Sequence, residues 1–140
     1  MVTVYDVDPR KLIERAAERL KEFEAVKAPA WAAFAKSGAG RQRAPAQKNF
    51  WHLRCASMLH KLYVGGSKGV SRLRTAYGCR KRGRKVASPR FAKGGGSILR
   101  KGLQQLEKAG LVRKAKEGGR VLTSKGRAFL DSVAKEVKGG

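Results

Sequence analysis

The chain has 140 residues, with 33 Lys and Arg against 10 Asp and Glu, a formal net charge of +23. That length suits a single domain over residues 1–140, and 41% apolar residues can furnish a core, which excludes a merely disordered basic tail. So basic a chain repels itself and calls for a polyanion; with no long apolar run and no signal-peptide pattern after Met1, nucleic acid is favoured over a membrane.

Charge is distributed unevenly along the chain. Residues 1–40 hold seven basic and six acidic side chains, whereas residues 41–102 hold 17 basic and no acidic ones. From Ala25 to Leu106, 82 consecutive residues lack a carboxylate. A surface built only for solubility mixes both signs. This stretch therefore reads as one extended face for a polyanion.

The first helix is expected to open at Asp8-Pro9, an N-cap followed by proline at the first helical position. Leu12, Ile13, Ala16, Leu20 and Phe23 form its apolar stripe, with Lys11–Glu14, Arg15–Glu18 and Arg19–Glu22 as ion pairs outside. Pro29 opens a shorter segment, 30–35, whose Trp31 and Phe34 read as core packing. After a loop with Arg41, Arg43 and Pro45, Asn49 is expected to cap a helix to about Tyr63. Trp51, Cys55, Met58, Leu59 and Leu62 share its buried side; Arg54, Ser57 and Lys61, with Phe50 beside them, share the outer side.

Gly69 to Gly78 reads as a short helix ending at glycine. The segment 79–96 has too few apolar residues to fold alone and is expected to be a flexible basic loop that orders against phosphates. Ser97 is expected to cap a helix through Ala109, with Leu99, Gly102, Leu103 and Leu106 buried. Leu111–Ala115 and Arg120–Thr123 flank a glycine turn and predict a hairpin, after which Ser124 caps a last helix. Helix, hairpin, helix after two earlier helices is the order of a winged helix-turn-helix, a mostly α fold with a small β wing.

A search for catalytic groups finds little. No carboxylate stands near His52 or His60 in sequence, and eight residues of helix set these histidines about 12 Å apart along the axis, poor geometry for a metal. Cys55 falls on the apolar stripe; Cys79 beside Arg80 and Lys81 has no evident catalytic partner. Two cysteines cannot form a secreted disulfide framework, so a reduced, cytosolic setting is expected. Lys93-Gly94-Gly95-Gly96-Ser97 lacks the spacing of a nucleotide-binding loop, though free amides where the next helix begins can take a backbone phosphate. No enzyme activity, metal or cofactor is expected.

Trp31–Gly38, Gly69–Gly78 and Ser97–Val112 together resemble the archaeal and eukaryotic type of small-subunit ribosomal protein nineteen, a family unrelated to the bacterial protein of that number. Gly118–Thr123 followed by Lys125-Gly126-Arg127 is similar to it as well. The resemblance runs from about Val4 to Val137, closer to archaeal members, with Cys79 and Gly102 as small departures. It implies a monomer when free, seated in the cytoplasm on the head of the small ribosomal subunit, among neighbouring small-subunit ribosomal proteins. There it would bind the 3′ major domain of the small-subunit rRNA and support subunit maturation. A-form RNA is read by shape, backbone and 2′-hydroxyls, which suits many cations and few exposed aromatics. The RNA-facing set expected is Arg54, Lys61 and Lys68; Arg72 and Arg74; Arg80, Lys81, Arg82, Arg84, Lys85, Arg90 and Lys93 in the loop; Ser97, Arg100, Lys101 and Gln104 on the following helix; and Lys116 and Arg120 on the wing. The alternative is a DNA-binding winged-helix regulator or chromatin protein. Such regulators usually dimerise through an added apolar helix, and none is evident here.

Overall fold

Asp8 accepts a hydrogen bond from the Arg10 amide at 3.1 Å, and Pro9 begins helix α1, Pro9–Leu20. The computed structural model describes residues 2–33, 49–81, 90–116 and 118–139. Leu12, Ala16 and Leu20 are fully buried, as the stripe predicts. Phe23 lies beyond the helix end, its ring edge-on to Phe129 at 5.7 Å. Among the expected ion pairs, Arg15–Glu18 forms at 2.8 Å, while Arg19 turns to Glu136 of the last helix at 3.1 Å. A 3-10 turn, Ala30–Ala33, sets Trp31 edge-on to Trp51. Phe34 and the basic loop at Arg41 and Arg43 lie outside the described residues.

Helix α2, Phe50–Gly65, buries Trp51, Cys55, Met58, Leu59 and Leu62, but the Asn49 side chain makes no capping bond. Helix α3, Val70–Ala76, follows. The segment read as a flexible loop then contains an antiparallel hairpin, β1 Cys79–Lys81 and β2 Arg90–Ala92, paired Cys79↔Ala92 and Lys81↔Arg90. Such short strands pair through main-chain groups, so no alternation of apolar side chains announced them. Arg82, Arg84 and Lys85 lie outside the described residues.

Helix α4 spans Gly96–Lys108 and is preceded by Gly95 in extended conformation. Ser97 is thus inside the first turn and exposed, and does not cap the helix as expected. Strands β3, Val112–Lys114, and β4, Arg120–Leu122, form the predicted hairpin. Main-chain bonds between Lys68 and Arg120, at 3.0 and 2.9 Å, add a third extended segment to its edge. Gly119, at φ +78, lies so close that a Cβ there would come within 2.7 Å of the Lys68 carbonyl carbon. Helix α5, Ser124–Gly139, is capped not by Ser124 but by Thr123, whose Oγ1 accepts from the Gly126 amide at 3.1 Å and donates to the Gly110 carbonyl at 2.7 Å. Thr123 can do both because a hydroxyl is donor and acceptor at once.

The order α2, extended Lys68, α3, α4, β3, β4 is that of a winged helix, with α1 and α5 packed around it and the β1–β2 hairpin inserted between α3 and α4. One hydrophobic cluster unites Leu12 and Leu20 of α1, Leu59 and Leu62 of α2, Leu99, Leu103 and Leu106 of α4, and Leu130 of α5. Gly102 lets α4 approach α2: a Cβ there would lie 2.5 Å from Met58 Cε. Gln105 ties the edge of this core together, its side-chain oxygen accepting from Trp51 Nε1 at 2.7 Å and its amide donating to the Lys27 carbonyl at 2.7 Å.

Candidate nucleic-acid interface

With Trp51, Cys55, Met58 and Leu62 facing the core, the helical period leaves Arg54, Ser57 and Lys61 on the other side of α2. The ring of Tyr77, at the end of α3, lies over this row. The Arg54 guanidinium carbon is 4.0 Å from the ring centroid and Lys61 Nζ is 5.1 Å from it. Phe50 adds a second ring beside Arg54, at 5.0 Å. The Tyr77 hydroxyl donates to Ser57 Oγ at 2.6 Å, which pins the ring. Arg54, Tyr77, Gly95, Ile98 and Leu99 line a narrow crevice where α2, α3 and the start of α4 meet.

Arg72 and Arg74 are both exposed on α3, and Arg74 is also bonded to the segment before α4. Its Nε donates to the Gly94 carbonyl at 2.9 Å, and the Gly94 amide donates to the Arg74 carbonyl at 2.8 Å. Lys93 is exposed and reaches Ser71 Oγ at 3.4 Å. Arg100, Lys101 and Gln104 are exposed on α4. Lys116 is exposed near the wing tip, joined by Arg113 and Lys114 of β3, which the sequence reading left out. Arg120 behaves differently from the expectation of a wing contact: its side chain is mostly buried, with Nε 3.6 Å from Glu107 of α4. Lys68 is half-buried, its backbone held in the bridge to Arg120. The backbones of Arg80, Lys81 and Arg90 run in the β1–β2 hairpin.

Electrostatics differ from one part of this surface to another. Partial burial, followed by the charges of Lys68 and Arg54, holds the Lys61 ammonium below the ordinary lysine value. On α1 the opposite occurs: the hydrogen bonds that Arg15 donates to Glu136 and Glu18 raise its guanidinium. His52 and His60 are both pushed down, chiefly by burial, and His52 Nε2 lies 3.1 Å from the Val26 carbonyl oxygen. Burial lifts the Cys55 thiol to about 12, so it is a packing group rather than a nucleophile. The Cys79 side chain lies outside what is described. Among the described residues, no group of His, Cys, Asp and Glu could hold a metal ion. No described helix is long and apolar enough to cross a membrane.

Sequence reasoning placed Arg54 and Lys61 on one face but missed Tyr77, which joins them. Periodicity within one helix cannot show that a residue 23 positions away packs across it; only the turn at Gly65-Gly66 and the angle of α3 bring it there.

A protein-family model described as Ribosomal protein S19e matches residues 3–139. The small ribosomal subunit protein eS19 of Aeropyrum pernix is 45% identical over 139 residues, covering 98% of this chain and 90% of the relative. Its counterpart in Haloarcula marismortui is 43% identical over 140 residues, covering 98% and 92%. The protein eS19G of Ascaris suum is 40% identical over 137 residues, covering 97% and 92%.

Proposed function

The chain belongs to the ribosomal protein S19e family, a family of structural and non-enzymatic proteins, and from that premise we propose that it binds small-subunit rRNA in the head of the small ribosomal subunit, within the 3′ major domain, and supports maturation of that subunit. In this reading it is a cytoplasmic protein, monomeric when free, acting as one domain among neighbouring ribosomal proteins. The observation that carries the reading is the run of 82 residues without a carboxylate, from Ala25 to Leu106. It contributes the exposed Arg72, Lys93, Arg100 and Lys101 and the ring-held Arg54 and Lys61.

Each element has a part in such binding. The α2 row, the exposed face of α4 and the wing lysines neutralise phosphates; Gln104 and Ser97 offer uncharged hydrogen bonds to phosphate or 2′-hydroxyl oxygens. Arg54 and Lys61 lose little freedom on binding because α2 and Tyr77 already hold them. In the same reading Arg80, Lys81 and Arg90 of the β1–β2 hairpin also bind RNA.

The test is titration of the purified protein with a transcript of the 3′ major domain and with duplex DNA of matched length, over a series of salt concentrations. Counterion release gives a log–log slope of about −0.7 to −0.9 per phosphate contact, so roughly eight contacts give a slope near −6. Preference for the transcript at every salt concentration, with co-migration of the protein and small subunits on a gradient, is expected. A slope shallower than about −2, or tighter binding to the duplex DNA, overturns the proposal.

A further inference from the structure

We propose that Tyr77 is a positioning residue whose ring gathers Arg54 and Lys61 into a single phosphate-binding pair. The inference rests on the rRNA reading above and goes beyond it by assigning a role to a residue that carries no charge.

Arg54 and Lys61 stand seven residues apart on α2, two turns along the same face, and both cations approach one ring, at 4.0 and 5.1 Å from its centroid. Two like charges over a single ring repel one another, and Lys68 adds a third positive field at Lys61. The ring's negative face offsets part of that repulsion without supplying a formal charge. A carboxylate in the same place would hold the cations as well but would cancel the charge that a phosphate needs. Tyr77 therefore orders the pair without adding a formal charge of its own. The ring is itself fixed: its hydroxyl donates to Ser57 at 2.6 Å, and Gly94 packs so closely that a Cβ there would lie 3.1 Å from Tyr77 Cβ. An anchored ring, rather than a loose one, suits a positioning role.

The experiment is a mutant cycle read by binding of the 3′ major domain transcript over a salt series. Tyr77→Phe keeps the ring and should bind within about 3-fold of the parent. Tyr77→Leu removes it and should weaken binding about 10-fold, with the salt slope shallower by roughly one to two phosphate contacts. In an Arg54→Met/Lys61→Met background, Tyr77→Leu should have no further effect, because nothing remains to be positioned. Equal weakening in both backgrounds would mean that the ring touches RNA itself and would overturn the proposal, as would parental binding by Tyr77→Leu. Should the leucine variant fail to fold, Ser57→Ala replaces it, since that change only unpins the ring. It should weaken binding about 2- to 3-fold in the parent and not in the methionine background, and equal losses in the two overturn the proposal. A parent with a flat salt dependence would instead defeat the rRNA reading.

Discussion

The two sides of this molecule differ in whether carboxylates hold their arginines and lysines, although rings meet cations on both, as Phe129 meets Arg19 beside α5. Where α1 meets α5, Arg15 lies 2.8 Å from Glu18 and 3.0 Å from Glu136, and Arg19 shares that last carboxylate at 3.1 Å. Over α2, α3 and the start of α4, cations are held by aromatic rings, a hydroxyl and a carbonyl: Arg54 and Lys61 by Tyr77, Lys93 by Ser71, Arg74 by Gly94. Both arrangements order long side chains. The first also neutralises them, and its charge serves the protein's own packing. In the second, the ring, hydroxyl and carbonyl carry no formal charge, so they order the cations without cancelling them. Under the proposed rRNA reading, what holds a cation in place matters as well as how many cations the surface carries.

The largest expected effect tests that contrast directly. Arg100→Glu, on the exposed face of α4, should leave the fold intact and abolish co-migration with small subunits, whereas Arg15→Glu should co-migrate like the parent. Arg54→Glu should follow Arg100→Glu. Folding of each variant is checked by circular dichroism before the gradient. Equal incorporation of all three would show that only net charge matters and erase the distinction between the two sides.

A second test asks whether the two sides share one support. Leu103 of α4 is fully buried in the cluster that also holds Leu12 and Leu20 of α1. Leu103→Ala should cost about 2–5 kcal/mol in denaturant unfolding, as a buried large-to-small change does, with a single transition seen by all probes. A melt within a degree of the parent would place Leu103 outside the core. Two separate transitions would show that the basic side and the ion-paired side unfold independently.

The smallest effect concerns the ion pairs themselves. Glu136→Gln removes the carboxylate that Arg15 and Arg19 share, yet surface pairs contribute little once solvent and salt screen them. The melting temperature should fall by no more than about 4 °C and affinity for the 3′ major domain transcript should stay unchanged. Tighter RNA binding by this variant would mean that released arginines join the interface, and the boundary between the two sides would have to move to include α1.

Much of the fold was legible because its signals are local. The Asp8-Pro9 start of α1, the apolar rows of α2 and α4 and the glycine turn before Arg120 each depend on residues within a few positions of one another. Two helix starts differ from the expectation, by two residues and by one: Gly95 precedes α4 where Ser97 is expected to cap, and Thr123 caps α5 where Ser124 is. The β1–β2 hairpin was missed because its pairing lies in the main chain, which every sequence shares.

The candidate site divides along the same line. By itself the sequence determined the sign and extent of the charge, the amphipathic helices and the resemblance to a family, since each follows from residue identity and short spacing. Only the tertiary structure decided which cations point outward. Arg74 lies within the acid-free run and Arg120 beyond it, and both are expected at the interface; Arg74 stays exposed with its Nε bonded to the Gly94 carbonyl, whereas Arg120 turns toward Glu107. Tyr77 reads as the end of a short helix by composition, but lies over Arg54 and Lys61 in space. Those outcomes depend on how α3 and the wing pack against α2 and α4, and packing joins residues tens of positions apart that no local pattern connects.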